Sequence, residues 1–295
     1  MPSAMARQRD DERVASARMG IGGQLLLLLA IPLTALLLVT GYGVRSGATQ
    51  AQAASELTER TDVALAAYAL IEDLQVERSE LIRSDATTRE MRLEVESSQQ
   101  ALERAAATAG GDLQSRTGDA LRRVGAASSV AGRDLGGAVA LRVYSSAISD
   151  LLDLATVAID PRGAIDDAAA STTDYLARAQ AAAAEERDLV TVLVDQDALD
   201  AQSFQEVMAL ASAQQSYIAL AAASAPSERA IQIREVGFAS AAADTLRRAT
   251  FSGTDDRSAA WIEGLSARTA ELATFPAKTH FWPPAGSATQ VTLEG

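Results

Sequence analysis

The chain has 295 residues, of which 48% are hydrophobic, 4% aromatic and 22% charged, a balance that suits one or two helical domains and excludes a disordered chain. It has no cysteine, so disulfides, thiolate metal sites and cysteine nucleophiles are excluded. A net charge of -13 argues against nucleic acid as a partner and requires any anion site to be a local positive pocket, which screening over roughly 8 Å permits.

Residues 1–18 are polar and of mixed charge, and a run of 26 residues without a charge then separates Arg18 from Arg45. That run is long enough to span a bilayer, with a leucine-rich core from Leu25 to Val39 and Pro32 as a kink. A cleaved signal peptide is the competing reading, because Ala48 to Ala54 is rich in small residues. Arg7, Arg9, Arg13 and Arg18 precede the run and only Arg45 follows it closely, so the positive-inside rule places the N-terminus in the cytoplasm and the body of the chain outside.

Beyond this run Ala, Leu, Glu, Gln and Arg dominate, and all favour helix, whereas the aromatic and β-branched runs of a sheet are scarce. A long helix is expected from Ala48 to about Arg83, continuous with the span or close behind it. Stops are expected at Ser84 to Ala86, Ala109 to Asp112, Gly132 to Gly137, Asp160 to Gly163, Ala198 to Ala201, Ala225 to Ser227 and Ser252 to Asp255. The expectation is therefore an all-α chain: an N-terminal transmembrane helix followed by about eight helices in paired four-helix bundles. It divides into a cytoplasmic segment (1–18), the span (19–44), an extracytoplasmic helical domain (45–274) and an irregular tail (275–295). Apolar residues recur at helical spacing and are read as core, for example Leu141, Tyr144, Ile148, Leu151 and Leu152, or Phe204, Val207, Met208 and Ala211.

Two arginines break such stripes. Arg78 shares a face with Leu70, Leu74, Leu81 and Ile82, and no acid lies one turn away, so if buried it needs a counterion from elsewhere. Arg187 lies on a stripe with Leu176, Ala183, Val190 and Val194, and its neighbours at one turn are again uncharged. Two such guanidinium groups suggest one shared anion, either a small ligand or a carboxylate of the chain such as a structural Glu. A snorkelling side chain or a cross-helix salt bridge is the plainer alternative.

The run Leu74-Gln75-Val76-Glu77-Arg78 resembles the Leu-Gln-x-Glu-Arg signature of the nitrate- and nitrite-sensing (NIT) domain, and Glu186-Arg187 resembles its second Glu-Arg element. The similarity extends from about Leu57 to about Leu272 and takes in the runs Tyr144 to Leu154 and Phe204 to Tyr217. It implies a receptor module that holds nitrate or nitrite with Arg78, Arg187, Gln75 and Ser79, as in the input region of bacterial sensor histidine kinases, commonly homodimeric. Where the family continues with glycine this chain has Ser79, whose Cβ crowds a close approach while its hydroxyl can donate.

Catalytic constellations are missing from the sequence: it has no phosphate loop, no dinucleotide fingerprint, no nucleophile elbow and only one histidine, His280, so neither an enzyme, a metal site nor a cofactor is expected. The adjacent acids Glu185 and Glu186 point apart and read as a solvated face or as N-terminal helix charges. The reading is a membrane-anchored sensor input module for a small oxyanion, with signal passed along the first helix. The compositional break near Lys278 suggests that it is cut from a sensor histidine kinase. The alternative is a ligand-free, membrane-anchored helical adaptor.

Overall fold

The computed structural model describes residues 21–84, 89–130, 136–159, 168–238, 247, 251 and 258–278, without the side chains of 21–51, 53, 130, 168, 236–238, 258–259 and 273–278. The regular structure in these residues is entirely helical, in eight helices: α1 (Ile21–Ser84), α2 (Arg89–Ala109), α3 (Gly111–Val130), α4 (Gly137–Ile159), α5 (Ala168–Asp195), α6 (Ala201–Ser224), α7 (Ser227–Phe238) and α8 (Ser258–Lys278). The expected all-α class is observed. The chain divides into two units, 1–56 and 57–295. Among the described residues no helix is long and apolar enough to cross a membrane. The expected span, 19–44, has its side chains outside the described residues.

In the second unit the helix stops follow local chemistry. Gly110 and Gly111 take φ of +71° and +50° between α2 and α3, a left-handed backbone that a Cβ disfavours. Asp200 caps α6: its carboxylate accepts from the Ser203 N–H at 2.8 Å, while the Ser203 hydroxyl accepts from the Asp200 N–H at 2.8 Å. Donation by the Ser203 N–H, and after it by the Ser203 hydroxyl, holds the Asp200 carboxyl below its ordinary pKa. The helix stops expected within 85–88, 131–135, 160–167 and 252–257 lie outside the described residues, and so does everything from residue 279 on, including His280. At the C-terminal end, α8 continues to Lys278, four residues into the expected irregular tail.

The second unit buries one large apolar cluster and two smaller ones. Leu70 and Leu74 of α1, Leu102 of α2, Val124 of α3 and Tyr144, Ile148 and Leu151 of α4 share the large cluster with Ala177 and Ala181 of α5. On another side of α5, Leu176, Ala179 and Ala183 pack with Ile218, Ile233 and Leu272 of α6, α7 and α8. Further along it, Val190 and Leu193 pack with Val207, Trp261 and Leu265. α5 therefore serves both sets of helices, and its run of alanines is what lets helices approach it from several sides. Two expected core residues are displaced: Met208 is 38% and Val194 37% exposed, because each sits at the margin of its stripe.

Candidate functional site

Arg78 is 1% exposed, and its Nε donates to Asp188 Oδ2 of α5 at 2.7 Å. Its Nη1 donates to the Ser145 hydroxyl of α4 at 3.0 Å. The counterion that the sequence required from another helix is thus a carboxylate of the chain itself. Asp188, 2% exposed, also accepts from Arg187, whose Nε and Nη2 lie 2.8 and 2.7 Å from Oδ1. Two guanidinium groups therefore share one carboxylate, leaving a surplus of one positive charge. Arg78 Nη2 is buried with no hydrogen-bond partner.

The sequence pattern passes over Asp188 because it follows Arg187 directly, and neighbours on a helix point about 100° apart. A signal is nevertheless there. Asp188 continues the line Ala177, Ala181, Ala184, all buried, so it is a charge on an apolar face in the same sense as Arg78.

Arg187 reaches toward a cleft of about 330 Å³ formed by α1, α5 and α8. Gln75, Val76 and Ser79 of α1 and Gln180 of α5 line it, with Glu72 and Arg83 of α1 and Ser266, Thr269 and Ala270 of α8. Of the four expected ligand residues, Gln75, Ser79 and Arg187 thus come together at one cavity, whereas Arg78 stands behind it, holding Asp188. Gln75 is only 5% exposed, and its Nε2 has no acceptor. A buried amide left without a partner costs about 1–3 kcal/mol, a penalty that an incoming acceptor would relieve. Arg83 is neutralised by Glu80 at 2.8 Å.

Glu186, expected to be solvated, is fully buried. Arg247 grips it with Nε at 2.5 Å from Oε1 and Nη2 at 2.8 Å from Oε2, and Gln214 Nε2 donates to Oε2 at 2.5 Å. The correction has a simple origin: Glu186 lies on the line of Ala179, Ala182, Ala183 and Val190, so it faces the α6 and α8 side of the core. A second buried acid, Glu77, lies near the Tyr144 hydroxyl without a hydrogen bond of its Oε2. Burial raises its pKa above the ordinary carboxylate value, against the opposing influence of Tyr144 and Arg92.

Among the described residues no group of His, Cys, Asp and Glu is placed to hold a metal ion. The comparisons with known proteins are silent: no protein-family profile, no curated protein and no solved structure matches this chain.

Proposed function

We propose that the chain is the input module of a membrane-anchored receptor and that the cleft between α1, α5 and α8 binds a small oxyanion. The observation that carries this reading is the convergence of Arg187, Gln75 and Ser79, from two helices, on one cavity, with the Gln75 Nε2 buried and unpartnered. Arg187 commits Nε and Nη2 to Asp188, which leaves Nη1 to donate to an anion in the cleft. Arg78 is a positioning residue that fixes the carboxylate against which Arg187 is oriented. The resemblance to NIT domains makes nitrate or nitrite the first candidates. It also suggests paired four-helix bundles, a homodimer and a membrane-spanning start to α1, with the N-terminus in the cytoplasm and the binding domain outside.

The test is thermal unfolding of the full chain in detergent with and without sodium nitrate. Nitrate is expected to raise the Tm of the wild type, by the mass action of any ligand that binds only the folded state, and not that of Arg187→Ala. A wild-type Tm indifferent to nitrate, nitrite and carboxylate anions would remove the receptor reading. It would favour the second one, a ligand-free membrane-anchored adaptor, which draws support from Asp188 already supplying an anion to both arginines.

A further inference from the structure

The charges around the cleft favour an anion that also carries a positive charge. At one wall stands the surplus positive charge of the Arg78–Asp188–Arg187 group. On the same cavity, one turn before Val76 on α1, stands Glu72, which has no ion pair or hydrogen bond among the described residues. Arg83, the other cation in the lining, is already satisfied by Glu80 and is not free to neutralise it. An inorganic anion drawn to Arg187 meets an uncompensated carboxylate nearby and is repelled by it. A cleft of about 330 Å³ is also large for a four-atom ion, since pockets of that size hold small organic molecules.

Resting on the reading of this cleft as an anion site, we infer that its ligand is a zwitterion of the α-amino acid class. Its carboxylate meets Arg187, Gln75 and Ser79, and its ammonium meets Glu72. The spacing suits the short charge separation of such a molecule: Glu72 and Gln75 are three residues apart on α1, which brings their Cβ atoms to about 5–6 Å on one helix face. A carboxylate can accept from the buried Gln75 Nε2 and from Arg187, while the ammonium supplies the donor that Glu72 lacks. Val76 and Ala270 leave an apolar wall for the side chain of the amino acid. Partial desolvation by the helices around it, and after that the neighbouring Asp73, raise the Glu72 pKa although its surface stays open to solvent, as expected of a carboxylate without a cation.

The experiment is a calorimetric titration of the full chain in detergent with sodium nitrate, sodium acetate, ethylammonium chloride and each of the common α-amino acids, repeated on Glu72→Gln and Arg187→Gln. Glu72 is exposed, so its neutral isostere leaves folding intact, which the unliganded Tm verifies. At least one amino acid is expected to bind the wild type roughly tenfold tighter than acetate, the worth of one charge-assisted hydrogen bond in a partly desolvated site. In Glu72→Gln that advantage should disappear while acetate and nitrate bind as well or better, and in Arg187→Gln all three should fail. If acetate or nitrate binds the wild type as tightly as every amino acid, or if Glu72→Gln leaves amino acid affinity unchanged, the zwitterion is wrong and the anion site survives. If none of the probes binds, or only ethylammonium does, both readings fall together.

Discussion

Two carboxylates, Glu186 and Asp188, stand two residues apart on α5 and so point about 200° apart, into different environments. On the Glu186 side one carboxylate meets one arginine: Arg247 grips both oxygens, Gln214 adds a third donor, and all three residues are at most 1% exposed. On the Asp188 side one carboxylate meets two arginines, Arg78 Nη2 and Gln75 Nε2 lack acceptors, and Arg187 lines a cleft. The Glu186 carboxylate is matched by one arginine and shut off from solvent, whereas the Asp188 carboxylate is shared by two arginines, one of which lines a cavity. A buried pair closed in this way offers an incoming ligand nothing, whereas surplus donors beside a cavity are what a ligand needs.

Removing one partner at the closed site should give the largest effect. Arg247→Ala leaves Glu186 buried with only a neutral amide, and chemical denaturation should show a loss of about 3–5 kcal/mol. Replacing both partners, as in Arg247→Met with Glu186→Leu, should recover most of that loss, because an apolar pair carries no desolvation penalty to be offset. A double variant as unstable as the single one would mean that the pair stabilises the protein by more than charge compensation.

The open site should cost less and respond to anions. Asp188→Ala leaves Arg78 with the Ser145 hydroxyl as its remaining partner, a loss of about 2–4 kcal/mol, while Arg187 can turn into the cleft and keep its hydration. Added formate or acetate should restore part of the Tm of Asp188→Ala by occupying the vacated carboxylate position. The same salts should do nothing for Glu186→Ala, whose surroundings have no such access. Rescue of both variants, or of neither, would erase the distinction between the two faces of α5.

The sequence shows the two arginines of the Asp188 group but hides Asp188, and it hides both members of the Glu186 pair. Arg78 is legible because a charge on a leucine stripe has to be explained, and its need for a partner on another helix follows directly. Asp188 and Glu186 obey the same rule on alanine lines, but alanine is at home both in cores and on helix surfaces, so a charge among alanines does not look misplaced. Helix stops at Gly110, Gly111 and Asp200 are legible because each answers a local backbone requirement. Arg247 could not be found in this way, since its partner Glu186 lies 61 residues away and nothing local selects it.

Glu77 offers a comparison by pH rather than by mutation alone. Its pKa is raised in the folded state, chiefly by burial, so the folded chain binds this proton more tightly than the unfolded one does. Stability from this group is therefore highest below the ordinary carboxylate pKa and falls as pH rises from there through the raised value, after which it levels. Glu77→Gln should remove that downward slope from the Tm profile and should be less costly at neutral pH than the loss of Asp188. A profile with the wild-type slope intact would assign the pH dependence to another group.

The smallest effect is expected where α5 meets solvent. Arg178 is 20% exposed and pairs with Asp174 at 3.0 Å and with the exposed Asp153 at 3.1 Å, while its Nη2 also donates to the Thr156 hydroxyl at 2.7 Å. Water can replace the Asp153 half of this arrangement, and the buried Asp174 keeps the Thr156 hydroxyl as a donor. Arg178→Gln should therefore cost about 1–2 kcal/mol at low salt, below the loss at a fully buried pair. Raising the salt to about 1 M shortens the screening length to roughly 3 Å and should shrink the loss further, whereas the loss in Arg247→Ala should hardly change. That difference in salt dependence separates a pair that water can reach from one that it cannot. If Arg178→Gln were as costly and as insensitive to salt as Arg247→Ala, burial would not be what distinguishes the ion pairs along this helix.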